Sequence, residues 1–140
     1  MTPPIDLLAS YLHLARAAER RRQSLVRDRV LVLAAVIAAQ IDLAPIAAAC
    51  REQILAHNPG HMIGRWPTVG AALGEEDFQS LVNQLSTRYG PERVETLVER
   101  LGIERANERA AYASDGEFAA ALLRLDWEDL KRRFGSESDD

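Results

Sequence analysis

The sequence has a single cysteine, Cys50, and a single lysine, Lys131, in 140 residues. One cysteine excludes an intramolecular disulfide framework and is typical of a reducing compartment, so we expect a cytoplasmic protein. Residues 1–6 lack the basic region and apolar core of a signal peptide. Sixteen arginines accompany the lysine. We interpret this excess first as codon or lineage bias, because scattered arginines do not locate an anion site.

Motifs for catalysis and cofactor binding are also missing from the sequence. It contains no Gly-x-Ser-x-Gly motif, and no glycine-rich loop followed by Lys-Ser or Lys-Thr. Acidic pairs such as Glu75 and Glu76 have the pattern of solvated helix faces. The sequence therefore favours a protein with no catalytic residues and no cofactor.

The pattern for β-strands is absent as well, since no long stretch alternates polar and apolar residues. Apolar residues instead recur at three- and four-residue steps, which predicts an all-α protein. We expect a compact single-domain bundle of six or seven helices over residues 1–135. Its parts are an N-terminal helical layer at 3–57, a connecting loop at 58–74 and a C-terminal helical layer at 75–134. Residues 136–140 are predicted to form a disordered tail.

One apolar segment, 30–50, has the length of a membrane span. Gln40 and Asp42 fall near its middle, where an aspartate costs about 3 kcal/mol, and alanine supplies much of the remainder. We therefore predict a buried central helix over 30–41 and no membrane partner. No glycine or proline occurs between Ile5 and Ala44, but we expect two helices there, with a break near 22–24.

Charge is distributed unevenly along the chain. Residues 1–68 carry eight basic and five acidic side chains (net +3), and residues 69–140 carry nine and sixteen (net −7). A pI of about 5.4 makes nucleic acid an improbable principal partner. An arginine run from Arg16 to Arg29, which includes Arg20 and Arg21, could bind an acidic partner or the acidic half of a second copy. A solvated, salt-bridged face is the simpler interpretation.

The segment His57–Thr68 collects two histidines, one tryptophan, two prolines and two glycines. Arg65 and Trp66 are candidate binding residues, because arginine and tryptophan are frequent at interaction hot spots. Alternatively, Trp66 packs the loop onto the helices as a core residue while Arg65 binds helix-end carbonyls, and we favour this interpretation.

A possible metal site is suggested by Cys50, His57 and His61, which have the spacing Cys-x6-His-x3-His, with His13 as a possible fourth ligand. Thiolate and imidazole groups are the ligands that zinc or a similar transition metal prefers. In the structural alternative, which we favour, Cys50 is a small buried residue, His57 lies at a helix C-terminus and His61 bonds the backbone.

Taken together, these patterns predict a non-enzymatic protein-interaction or adaptor domain, which binds an unknown protein partner or a second copy of itself. The alternative is a small metal- or ligand-binding helical protein that uses Cys50, His57 and His61. A third, weaker hypothesis is a nucleic-acid-associated regulator that uses the run Arg16–Arg29.

Overall fold

A computed structural model describes residues 2–135, and all regular secondary structure in this range is helical. The all-α prediction is confirmed, but six or seven helices is too few, because the described residues form eight α-helices. The predicted tail at 136–140 lies outside the described residues. The helices are α1 (Pro4–Arg20), α2 (Ser24–Gln40), α3 (Ala44–His57), α4 (Val69–Ala72), α5 (Glu76–Arg88), α6 (Pro91–Arg100), α7 (Asp115–Leu122) and α8 (Trp127–Phe134).

The predicted break between α1 and α2 is present at residues 21–23. Arg22 adopts a left-handed φ of 57°, and the N–H of Gln23 donates to the carbonyl of Ala18 at 2.8 Å. This is the Schellman arrangement, which ends a helix by satisfying its last carbonyls. Asp42 ends α2 in the same way, with a φ of 63°. The first two breaks thus use non-glycine residues at a position that usually favours glycine.

Helix α2 is the central helix of the described residues, as predicted. Every residue from 30 to 36 is buried, so the helix has no exposed stripe along these two turns. It contacts α1, α3, α4 and α5. A helix that is apolar all round needs neighbours on all sides, and α2 accordingly packs between other helices.

Hydroxyl side chains cap α4 and α7. The hydroxyl of Thr68 accepts a hydrogen bond from the N–H of Ala71 at 3.0 Å, and Ser114 caps α7 in the same manner. Thr2 and Asp42 precede α1 and α3, but neither side chain caps the helix. Those two helices begin without a side-chain cap, because each has a proline in its first turn and an apolar or proline residue before it.

The predicted C-terminal helical layer, 75–134, contains two interruptions that were not expected. Residues 104–113 form turns and one 3₁₀ segment, Arg109–Ala111, where a continuous helix was expected. Asn107 lies there at a left-handed φ of 64°, which no α-helix contains. The second interruption separates α7 from α8, because Arg124 adopts a φ of 60° and Asp126 caps the new helix, α8.

The later helices pack around the first three. Helix α6 and helix α7 contact α1, α5 contacts α2, and α8 contacts α3 and α7. A second 3₁₀ segment, Met62–Arg65, and α4 lie within the predicted connecting loop and contact α3. Over residues 2–135, none of the helices combines the length and apolar character required to cross a lipid bilayer.

Candidate functional site

Four arginines line one cavity of about 440 Å³, which we name the arginine pocket. Arg16 and Arg20 come from α1, Arg27 comes from α2, and Arg124 comes from the turn after α7. The remainder of the wall is apolar except for Glu19 and Gln53, and its apolar residues are Leu12, Ala15, Leu31 and Leu123.

The helical geometry of α1 and the contact between α1 and α7 assemble this pocket. Arg16 and Arg20 are four residues apart, so they lie one above the other on one face of α1. Helix α7 packs against α1, and its left-handed C-terminal residue is Arg124. The tertiary contact therefore adds a third guanidinium to a pair that the sequence already placed together.

Among the arginines of the pocket, Arg27 alone has carboxylates of the described residues within 4.0 Å of its guanidinium nitrogens. Its Nη2 donates to the backbone oxygen of Gln53 at 3.0 Å and to Asp28 at 3.4 Å, and its Nη1 lies 3.7 Å from Glu19. Its Nε is buried and has no hydrogen-bond partner among residues 2–135. These bonds fix Arg27 as part of the wall.

Arg16, Arg20 and Arg124 differ from Arg27, because no carboxylate of residues 2–135 lies within 4.0 Å of their guanidinium nitrogens. Burial lowers the pKa of Arg16, and the positive charges of Arg124 and Arg20 lower it further, against the opposite effect of Glu19. Like charges close together raise the free energy of the folded protein. A bound anion would relieve this repulsion, and guanidinium groups bind carboxylate or phosphate in bidentate fashion.

Of the four predicted binding residues, Arg20 alone lines the arginine pocket. The adjacent Arg21 lines a different hollow, next to Tyr89 and Arg100. The two side chains are separated because consecutive positions at a helix end point about 100° apart. The structure therefore does not bring Arg20 and Arg21 into one site.

The other two predicted binding residues lie in the segment between α3 and α4. Arg65 is exposed and lies 3.3 Å from Asp77, rather than on helix-end carbonyls. Trp66 is half-buried, and its ring meets Phe78 edge to face at a centroid distance of 5.7 Å. The carbonyl of Trp66 accepts a hydrogen bond from Arg51 at 3.0 Å. These contacts attach the segment to α3 and α5.

The proposed metal ligands have separate partners. Cys50 is fully buried, and burial raises the pKa of its thiol to about 12. His57 lies at the end of α3, with its Nδ1 at 2.6 Å from a carboxylate oxygen of the buried Asp28. A buried neutral thiol and a histidine paired with a carboxylate are chemically stable without a metal.

The remaining histidines are also hydrogen-bonded. The Nδ1 of His61 accepts the N–H of Ile63 at 3.0 Å, and burial lowers the pKa of His61 despite the opposing charge of Asp28. His13 lies 2.8 Å from Glu108. No three His, Cys, Asp or Glu side chains of residues 2–135 are grouped so that they could hold a metal ion. The zinc ligand set suggested by spacing is not assembled.

Sequence reasoning found Arg16, Arg20 and Arg27 within the arginine run but missed Arg124. No local motif marks Arg124, because it joins the pocket through the packing of α7 on α1. The signal available in the sequence was the arginine run 16–29, which contains three of the four pocket arginines but does not include Arg124.

We compared the chain with models of protein families, with curated proteins and with solved structures, and none of the three comparisons gave a significant match.

Proposed function

We propose that the protein is a non-enzymatic interaction domain, an adaptor formed by residues 1–135, which binds an acidic segment of a partner protein in the arginine pocket. The observation that carries the proposal is the convergence of Arg16, Arg20 and Arg124 without a carboxylate partner in the described residues. Arg16 is half-buried, whereas Arg20 and Arg124 are exposed. Three like charges that converge without a paired carboxylate repel one another, and this arrangement favours the binding of an anionic group.

The composition of the pocket wall favours a peptide carboxylate over a small inorganic anion. Leu12, Leu31 and Leu123 line the pocket beside the arginines. An acidic residue could pair with the arginines there, while an aliphatic residue next to it packs against the leucines. An acidic chain, with a net charge of −4, repels the extended phosphate backbone of nucleic acid outside the pocket. The preferred partner is therefore a short acidic and apolar segment.

Two observations support an interaction role over catalysis. Cys50, the single thiol, is buried with a raised pKa, so it does not supply a thiolate nucleophile at neutral pH. The pair His57–Asp28 has the geometry of a base with its orienting carboxylate, but both members also serve the packing of α2 against α3. The lone cysteine supports the cytoplasm as the compartment of this interaction.

The test is fluorescence anisotropy with a labelled peptide of alternating glutamate and leucine. The double variant Arg16→Gln/Arg20→Gln should weaken binding about tenfold or more, because each charge-assisted hydrogen bond contributes about 1.5 to 3 kcal/mol. The matched control is Arg93→Gln/Arg100→Gln, which removes the same charge from α6 and should leave the affinity unchanged.

Three results would contradict the proposal. Equal losses in the two double variants would show that only net charge matters. Equal binding of a glutamine–leucine peptide would show that the carboxylates are not recognised. Tighter binding of a single-stranded oligonucleotide than of the peptide would favour a nucleic-acid partner. Sedimentation of the unlabelled protein shows whether a second copy, through its acidic half, supplies the acidic segment.

A further inference from the structure

A second cavity lies between α3, residues 67–70 and the end of α8, and we name it the apolar groove. Its volume of about 600 Å³ is within the range of small-molecule binding sites. The wall is mostly apolar and includes Ala44, Ala47, Ala48, Leu55, Val69 and Phe134. It shares no lining residue with the arginine pocket.

The groove is hollow because α3 presents short side chains to it. Ala44, Ala47 and Ala48 lie at three- and four-residue steps, so they share one face of the helix. The segment 67–70 and Phe134 form further parts of the wall. The space between these elements is bounded by methyl groups, which fit an apolar chain.

One positive charge in this wall lacks a counterion. Arg51 donates from Nη2 to the carbonyl of Trp66 at 3.0 Å, and its Nε is buried without a hydrogen-bond partner in residues 2–135. No carboxylate of the described residues lies at salt-bridge distance from Arg51. The neighbouring Glu52 is paired with Arg133 at 2.6 Å. The groove therefore combines a mostly apolar wall with the uncompensated guanidinium of Arg51 and with Glu52, whose charge is balanced by Arg133.

We propose that the apolar groove binds a single-chain amphiphile, an aliphatic carboxylate, whose chain lies along the alanines of α3 and whose carboxylate pairs with Arg51. A partly buried charge is stabilised by an opposite charge, and a mostly apolar wall is stabilised by an apolar occupant. An aliphatic carboxylate supplies both in one molecule.

This proposal does not depend on the arginine pocket, and its test uses a different probe. The measurement is titration calorimetry of the full-length protein with decanoate, kept below its micelle concentration, and with decanol. Decanoate should bind one molecule per chain, at least tenfold more tightly than decanol. In Arg51→Gln the preference for decanoate should fall below threefold, because the counterion of the carboxylate is gone.

A second variant tests the location of the apolar chain. Ala48→Trp should abolish the binding of both probes, because the indole occupies the groove. The matched control is Ala106→Trp, at an exposed position outside the groove, and it should bind decanoate as the wild type does. Helical circular dichroism and urea midpoints verify that each variant is folded.

Several results would overturn the proposal. Equal affinity for decanoate and decanol in the wild type would remove the role of Arg51. Undiminished decanoate binding by folded Ala48→Trp would show that the aliphatic chain of decanoate binds outside the groove. Failure of the wild type to bind decanoate, together with a dimer that Ala48→Trp dissociates, would identify a second copy of the protein as the occupant of the groove.

Discussion

Helices α1, α2 and α3 bury a larger fraction of their residues than helices α5, α6 and α8 do. Helix α2 buries nine of its 17 residues, and α1 buries nine of 17, whereas α5 buries two of 13 and α8 buries one of eight. In α1–α3 the small residue alanine is frequent, which permits close contact on several sides of a helix. In α5, α6 and α8 a narrow apolar stripe faces the other helices, and the remaining residues are polar or charged.

This difference indicates where the stability of the protein resides. The contribution of a helix to the free energy of unfolding is roughly proportional to the apolar surface that it buries. Helices α1–α3 should therefore contribute most of the free energy of unfolding. Helices α5, α6 and α8 have less apolar surface to bury, whereas α7 buries five of its eight residues. Polar contacts with α1 supplement the packing of the second half of the chain. The segment 103–114 shows this most clearly, because it is joined to α1 by hydrogen bonds of Arg105 and Glu108.

The largest expected effect is in α1. Leu8→Ala should lower the free energy of unfolding by about 2 to 5 kcal/mol, because Leu8 is fully buried and its loss leaves a cavity. Leu97→Ala, at a half-buried position of α6, should have a clearly smaller effect. Urea unfolding measures both. Equal losses would mean that the two regions do not differ in packing.

Gly116 is the place where the later helices are packed most closely. A Cβ at this position would lie 2.3 Å from the ring of Trp127, so Gly116→Ala must displace the indole. We expect a loss of about 1 to 3 kcal/mol, the usual cost of overpacking. In the control Gly74→Ala the new Cβ has no atom within 4 Å. Unchanged melting of Gly116→Ala would show that Trp127 moves away freely.

Arg105 tests the polar attachment of segment 103–114. Its guanidinium donates to Ser10 Oγ at 2.7 Å, to the carbonyl of Asp6 at 2.9 Å and to Glu108 at 2.7 Å. Arg105→Met should cost about 1 to 3 kcal/mol, because hydrogen bonds of a charged group are lost. Hydrogen exchange in segment 103–114 should accelerate more than in α2. Uniform acceleration would contradict a local attachment.

The smallest effect concerns pH and His61, in the segment between the two regions. Burial lowers the pKa of His61 in the folded protein below its ordinary value of 6.5. The neutral ring therefore stabilises the fold above that pH, and this contribution is lost as the pH falls through the lowered pKa. Asp28, Arg29 and Arg88 line the hollow beside the ring, and the charge of Asp28 opposes the shift.

His61→Asn removes the titration and keeps an acceptor for the N–H of Ile63, since asparagine is a good N-cap. The variant should lose less stability than the wild type between pH 7 and pH 5, as measured by urea midpoints. If the urea midpoint of the variant decreases as much as that of the wild type, the acid sensitivity arises from other groups.

Much of the fold could be predicted from local patterns. The apolar run at 30–41 predicted the buried α2, and Asn58-Pro59-Gly60 predicted the end of α3. The division between α7 and α8 was missed because its left-handed residue is Arg124, which carries no glycine signal. Residues 104–113 have helical composition, but the contacts of Arg105 and Glu108 with α1 override that preference.

The candidate site was only partly predictable. Arg16 and Arg20 share a helix face, and this follows from a spacing of four residues. Arg124 could not be added from the sequence, since it reaches the arginine pocket through tertiary packing. The spacing of Cys50, His57 and His61 suggested a metal site. In the structure, however, Asp28 lies beside His57, and the N–H of Ile63 donates a hydrogen bond to His61. Linear spacing does not reveal such competing partners.

Because Cys50 is completely buried, the chemical modification of its thiol reports conformational opening of the protein. The thiol lies on α3, within a hydrophobic core to which α1, α2 and most of the later helices contribute, and burial raises its pKa to about 12. An alkylating reagent can therefore modify it only when these helices separate. The rate of modification of the unaltered protein measures how often this happens. Ligands of either cavity that stabilise the closed form should slow that rate, and no engineered label is needed.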